Sequence, residues 1–212
     1  MKKLFLSLAV VCSMLIADTF KDASNAYEKG DYIEALNLFY ALAKDGDAKA
    51  QYNVALIYQM GKGVKSDTNQ AIEWYEKSAK AGNAKAMYNL ARIYHSQEGK
   101  NQHALELAKY WYEKAVQAGV AEANNNLATL YLEGKGVPKD TKKAMELLEQ
   151  AAKANDPQAQ YNLGILYAWG EGIQKDKLKA YENLTKAIKA GVSQAGDRLD
   201  KLCQESAWVC KN

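Results

Sequence analysis

The sequence predicts an all-α fold, a solenoid of antiparallel helix pairs. One observation is a recurring phrase: Ala50, Ala86, Ala123, Ala159 and Ala195 fill one slot at steps of 36, 37, 36 and 36 residues. A second is the helical spacing that follows. Val54, Leu90, Leu127, Leu163 and Leu199 come four residues later, and Tyr58, Tyr94, Tyr131 and Tyr167 four later again, so one helix face collects them. The third is punctuation: Gly61/Gly63, Gly134/Gly136 and Gly170/Gly172 close three of the copies. A period of this size marks stacked helical units, because one unit cannot bury its apolar face without a neighbour.

Taken in order, residues 1–17 read as a secretory signal peptide. Lys2 and Lys3 precede an apolar run from Leu4 to Ile16, and Ala17 offers the cleavage point. The mature chain is therefore expected in the periplasm or outside the cell. Lipid attachment at Cys12 is not expected, since Val11 stands where a small residue would be needed. The apolar run is short for a membrane span, and no second candidate follows, so the mature chain is expected to carry none. Residues 18–47 read as an N-terminal helix pair, and four repeats follow over 48–83, 84–120, 121–156 and 157–192.

Each repeat divides into two helices. Alanines such as Ala50 face Val54, Ile57 and Tyr58 along the first, and the Gly-x-Gly ends it, since glycine accepts the left-handed conformation of a helix C-terminus. Asp67, Asp140 and Asp176 then precede the second helix, where their carboxylates can cap it. Gly82, Gly119 and Gly191 stop three second helices, and Asn155 takes that place in the third repeat. Alanine lets neighbouring helices approach closely while Leu, Tyr and Trp fill the grooves. Repeat 2 breaks the pattern: after Tyr94 it has one extra residue and no Gly-x-Gly, so its turn must differ. Residues 193–212 begin a further first helix and form a C-terminal cap.

Charge excludes some partners. Of 28 Lys and Arg, loss of Lys2 and Lys3 leaves 26 against 25 Asp and Glu, so the mature chain is near neutral. Nothing here argues for nucleic acid or an anionic membrane surface. Cys203 and Cys210 remain in an oxidising context where disulfides persist. Seven residues of unbroken helix would hold them roughly 10 Å apart, so a bridge requires the chain to turn near Glu205 to Ala207. Closing that loop constrains the unfolded chain by about 2.5 kcal/mol. The competing role, a redox-active dithiol, lacks the tight spacing of redox motifs.

The repeated phrase resembles the sel1-like repeat, a relative of the tetratricopeptide repeat. The residues that carry the resemblance are Ala48 to Val54, Gly61 to Val64, Trp74-Tyr75 and Ala81-Gly82, with counterparts from 84, 121 and 157. Ala26 to Tyr32, followed by Ala35-Leu36, looks more like a tetratricopeptide hairpin. The resemblance implies a right-handed superhelix with its first helices on the concave side. It also implies a scaffold for a protein or peptide partner in the cell envelope, acting as a monomer without a cofactor. A cysteine-rich branch of the same family is catalogued as β-lactamase or penicillin-binding, which supplies the alternative of a cell-wall-directed hydrolase. That branch carries a cysteine pair in every repeat, whereas Ala79, Ala86, Val116 and Ala123 stand at the corresponding positions here. No Ser has Lys three residues on, and there is no Lys-Thr-Gly. The chain thus reads as a binding protein rather than an enzyme.

The candidate binding residues are a ladder, Asn53, Asn89, Asn126 and Asn162, with Tyr52, Tyr88 and Tyr161 beside three of its rungs and Asn125 beside the fourth. Such amides can pair with the backbone of an extended peptide. They can equally bond an adjoining repeat. His95 and His103 flank the odd loop with Glu98 between them, but their spacing matches no helical metal pair and no metal site is expected.

Overall fold

The structure is a computed structural model that describes residues 19–99, 102–170 and 172–210. The expected signal segment 1–17, with Cys12 and the expected cleavage point at Ala17, lies outside them. Every regular element among the described residues is helical: α1 (19–29), α2 (Tyr32–Lys44), α3 (Ala48–Met60), α4 (Thr68–Lys80), α5 (Ala84–Ser96), α6 (Gln102–Gln117), α7 (Ala121–Glu133), α8 (Thr141–Lys153), α9 (Pro157–Trp169), α10 (Lys177–Lys189) and α11 (Gln194–Glu205). They fall into two compact units, Met1–Ile93 and Tyr94–Asn212, with the division inside α5.

Helix boundaries follow from local chemistry. Asp67 accepts from the backbone N–H of Asn69 and Gln70, Asp140 from that of Lys143, and Asp176 from that of Lys179. These carboxylates satisfy donors that a helix N-terminus leaves without partners. First helices are capped too, by Asp47 on Ala50, Asn83 on Ala86 and Asp156 on Ala159. α7 has no side-chain cap, because Val120 stands at that position.

The Gly-x-Gly pair serves two separate needs. Gly61 ends α3 at φ 67° and donates its N–H to the Ile57 carbonyl. Gly63 is constrained differently: a Cβ there would lie 2.8 Å from Cβ of Tyr32, the first residue of α2. The same close approach recurs in the second unit, where a Cβ on Gly136 would meet Leu105 Cβ at 2.7 Å. The second glycine is thus required by packing onto the helix pair before it. The loop is closed by Asp67 N–H on the Tyr58 carbonyl, and by Asp140 and Asp176 on the carbonyls of Tyr131 and Tyr167. That bond fixes the distance in sequence from the last tyrosine of one helix to the cap of the next.

Repeat 2 solves its missing glycine pair by lengthening a helix. α6 has 16 residues where α4, α8 and α10 have 13. The preceding loop is held by Lys135, whose ammonium pairs with Glu98 at 3.0 Å and with Glu133. These two carboxylates raise the Lys135 pKa, Glu133 the more strongly.

In both units the core is a column of alanines flanked by large side chains. Ala50, Ala86, Ala123, Ala159 and Ala195 are fully buried, as are Tyr75, Leu90, Leu148 and Leu184. In α9 the pairing goes further, because a Cβ on Gly164 would lie 2.7 Å from Leu184 Cγ. At the C-terminus α11 stops at Glu205, residues 207–210 turn, and Cys203 and Cys210 are joined with their Cα atoms 5.7 Å apart. The turn buries Val209 and leaves Trp208 exposed.

The alanine column gives a direct prediction. Ala123→Trp should overpack the repeat and cost on the order of 1–3 kcal/mol. Calorimetry should show the melting temperature lowered by several degrees, against no change for Lys142→Ala on an exposed face.

Candidate binding surface

The ladder begins as a problem of helix geometry. Asn53 and Asn89 stand three residues after the alanines Ala50 and Ala86, so each lies one turn along the same side of its helix. All four ladder asparagines are half-buried. An amide in that position needs partners for two N–H donors and its oxygen.

The structure shows where two of them find partners. The Asn89 amide nitrogen donates to the hydroxyls of Tyr52 and Tyr75, both at 3.3 Å. Tyr75 donates in turn to Gln59 Oε1 at 2.7 Å. In the second unit the Asn162 amide donates to Asn125 Oδ1 at 2.9 Å. Both bonds span 37 residues, from one repeat to the residue beside the asparagine of the repeat before. Asn125 therefore replaces tyrosine without losing the function of that slot, which is to accept the next repeat's amide. Burial raises the Tyr52 and Tyr75 pKa, opposed in both by the Asn89 bond, so both hydroxyls stay protonated.

The remaining candidate residues divide differently. Asn126 is also engaged. Tyr88 and Tyr161 are half-buried, with the Arg92 guanidinium 5.8 Å from the Tyr88 ring centre. Asn53 stands apart: its side chain makes no hydrogen bond among the described residues. It lines two adjoining recesses in the first unit. One, of about 550 Å³, is bounded by Phe20, Tyr52 and the first residues of α3 and α5; the other, of about 290 Å³, by Tyr27, Phe39 and Leu56.

At the odd loop, His95 sits edge-on to Tyr112, with Nδ1 3.3 Å from the hydroxyl, and His103 pairs with Glu106 at 2.7 Å. Burial holds the His95 pKa below its usual value, against smaller upward pulls from Glu98 and Glu133. Among the described residues no group of three His, Cys, Asp or Glu is placed to hold a metal ion.

The comparison that decides the family is with the profile described as "Sel1 repeat". It matches residues 48–83, 84–120, 121–156 and 157–192. The chain belongs to the Sel1 repeat family. A protective antigen of uropathogenic Escherichia coli with an SLR fold is 30% identical over 90% of this chain, with a TM-score of 0.79. The chain spans only 41% of that antigen's length. A Sel1 repeat protein from Oxalobacter formigenes is 29% identical with a TM-score of 0.76, covering 86% of this chain and 74% of that one. The immunity protein Pa5087 of Pseudomonas aeruginosa, 19% identical with a TM-score of 0.52 over 85% of this chain and 68% of its own, shares the fold alone. No curated protein matches the chain. These likenesses establish an all-α Sel1 solenoid, a scaffold class that typically serves protein interaction. No described helix is long and apolar enough to cross a membrane.

Sequence reasoning missed Tyr75 and Gln59, which complete the Asn89 network from a second helix and the end of a first. It also passed over Lys49 and Lys85 beside the larger recess. Their signal was in the sequence: the residue before the buried alanine is lysine in repeats 1 and 2, but Glu122 and Gln158 in repeats 3 and 4.

Two predictions follow from this geometry. Asn89→Ala leaves the Tyr52 and Tyr75 hydroxyls short of a donor and should cost about 1–3 kcal/mol, read as a lower urea midpoint with unchanged slope. Asn53→Ala should leave that midpoint in place. For His95, the unfolded chain takes up a proton near pH 6.5 while the folded chain resists it. Stability is then full above that pH and falls as pH drops below it. Thermal melts between about pH 7.5 and 5.5 should show a smaller loss for His95→Gln than for the native chain.

Proposed function

We propose that this chain is an exported adaptor that holds a protein or peptide partner on the face formed by its first helices. The observation that carries the reading is the open recess around Asn53 and Tyr52, whereas the Asn89 and Asn162 amides are consumed by packing between repeats. A half-buried amide with donor and acceptor both available, beside a phenol, is the equipment for binding main chain. Export is argued from the Lys2-Lys3 and Leu4–Ile16 leader and from the Cys203–Cys210 bridge, which persists in oxidising compartments. The mature chain acts as a monomer in this reading, without cofactor or nucleic acid. The hydrolytic alternative gains no cysteine nucleophile from the described residues, since Cys203 and Cys210 are bonded to each other.

The test is capture from an envelope extract of the source organism on immobilised mature chain. Asn53→Arg fills the recess at an exposed edge and should abolish capture at an unchanged melting temperature. Asn89→Ala should lower the melting temperature while capture persists. Equal capture by Asn53→Arg would place the partner elsewhere.

A further inference from the structure

The first rung of the ladder differs from the others for a structural reason. Asn89 and Asn162 each donate to an oxygen of the preceding repeat. Asn53 has the α1–α2 hairpin before it instead. Counted back from the helix ends, Lys21 in α1 stands where Tyr52 stands in α3. Lysine offers donors and no acceptor, so the oxygen that serves Asn89 and Asn162 has no counterpart for Asn53. The rung is vacant by construction.

The surroundings of that vacancy have a definite chemistry. Lys49 and Lys85 are exposed and line the larger recess, where no acid lies. Neither is ion-paired among the described residues. Tyr52 uses a lone pair to accept from Asn89 and keeps its own O–H to donate. The Phe20 ring forms an apolar wall, packed edge-on against Phe39 at 5.3 Å between centroids. Beyond Asn53 the smaller recess is lined by Phe39, Leu56 and Tyr27, with Glu28 its one charged residue. The equivalents of Lys49 and Lys85 in the second unit are Glu122 and Gln158, so this lysine pair has no counterpart there.

We infer that the partner bound here is an extended protein segment carrying acidic side chains next to an apolar one. Its carboxylates meet Lys49 and Lys85, its main chain pairs with the Asn53 amide and the Tyr52 hydroxyl, and its apolar side chain enters the Phe39–Leu56 recess. This specifies the partner chemistry of the adaptor reading and rests on it.

The experiment uses the full mature chain and two fluorescent peptide pools, one of acidic residues alternating with apolar ones, the other with lysine in place of each acid. Fluorescence anisotropy should show binding of the acidic pool only. Raising the salt from about 0.01 to 0.15 M shortens the screening length from about 30 to 8 Å and should weaken it. Lys49→Glu with Lys85→Glu should weaken it roughly tenfold or more, and Asn53→Ala should weaken it at unchanged melting temperature. Lys139→Glu with Lys142→Glu should leave it unaltered. Equal binding of the lysine pool, full binding by the Lys49/Lys85 double variant, or equal displacement by a single-stranded oligonucleotide would each overturn the assignment. Capture of an envelope partner by that double variant, lost only with Asn53→Arg, would sink the acidic partner and leave the adaptor standing. Absence of both peptide binding and envelope capture would sink both.

Discussion

A pair of 13-residue helices has one apolar face and nothing of its own to cover it. That shortage governs the rest of the chain. Covering the face with the next pair demands close helix approach, which is why alanine recurs at fully buried positions from Ala50 to Ala195. Close approach in turn restricts the loops. Gly63 and Gly136 have no room for a Cβ because the helix pair before each already occupies it. Packing between neighbours therefore reaches into residues that look, in sequence, like simple turn formers.

The same constraint accounts for the asparagines. Helices that pack this closely place an amide of one repeat against the residue beside the amide of the repeat before. An amide left unpaired on burial costs about 1–3 kcal/mol, so an acceptor in the previous repeat stabilises the stack. Tyrosine supplies it at position 52 and asparagine at 125. A residue set that resembles a binding column is in these places a seam. The folded scaffold and any partner draw on the same polar groups, and the scaffold takes precedence wherever it has a neighbour.

Much of the architecture was legible because periodicity records contacts between near-identical units. The alanine slot, the left-handed glycines and the capping aspartates each have a local physical cause that a sequence displays. Three things were not legible. The second glycine's reason lies in a different repeat. The equivalence of Asn125 and Tyr52 appears only when both are seen accepting the same bond, since the side chains share little but an oxygen. The three extra residues of α6 could not be assigned to helix or loop from a stretch without glycine punctuation. For the candidate site, the ladder itself was readable, but which rung was open depended on a partner about one repeat away. The paired lysines were visible at 49 and 85 and acquired meaning only beside the recess.

A vacancy opposite the α1–α2 hairpin has a consequence for valence. Adding Sel1 units on the C-terminal side would multiply the seams, each new amide finding its acceptor in the unit before. It would not add a second open rung. The number of such openings follows the number of hairpins like α1–α2 and not the number of repeats, so it is independent of length. A chain of this kind gains rigidity by duplication while its capacity stays at one occupant for each N-terminal hairpin.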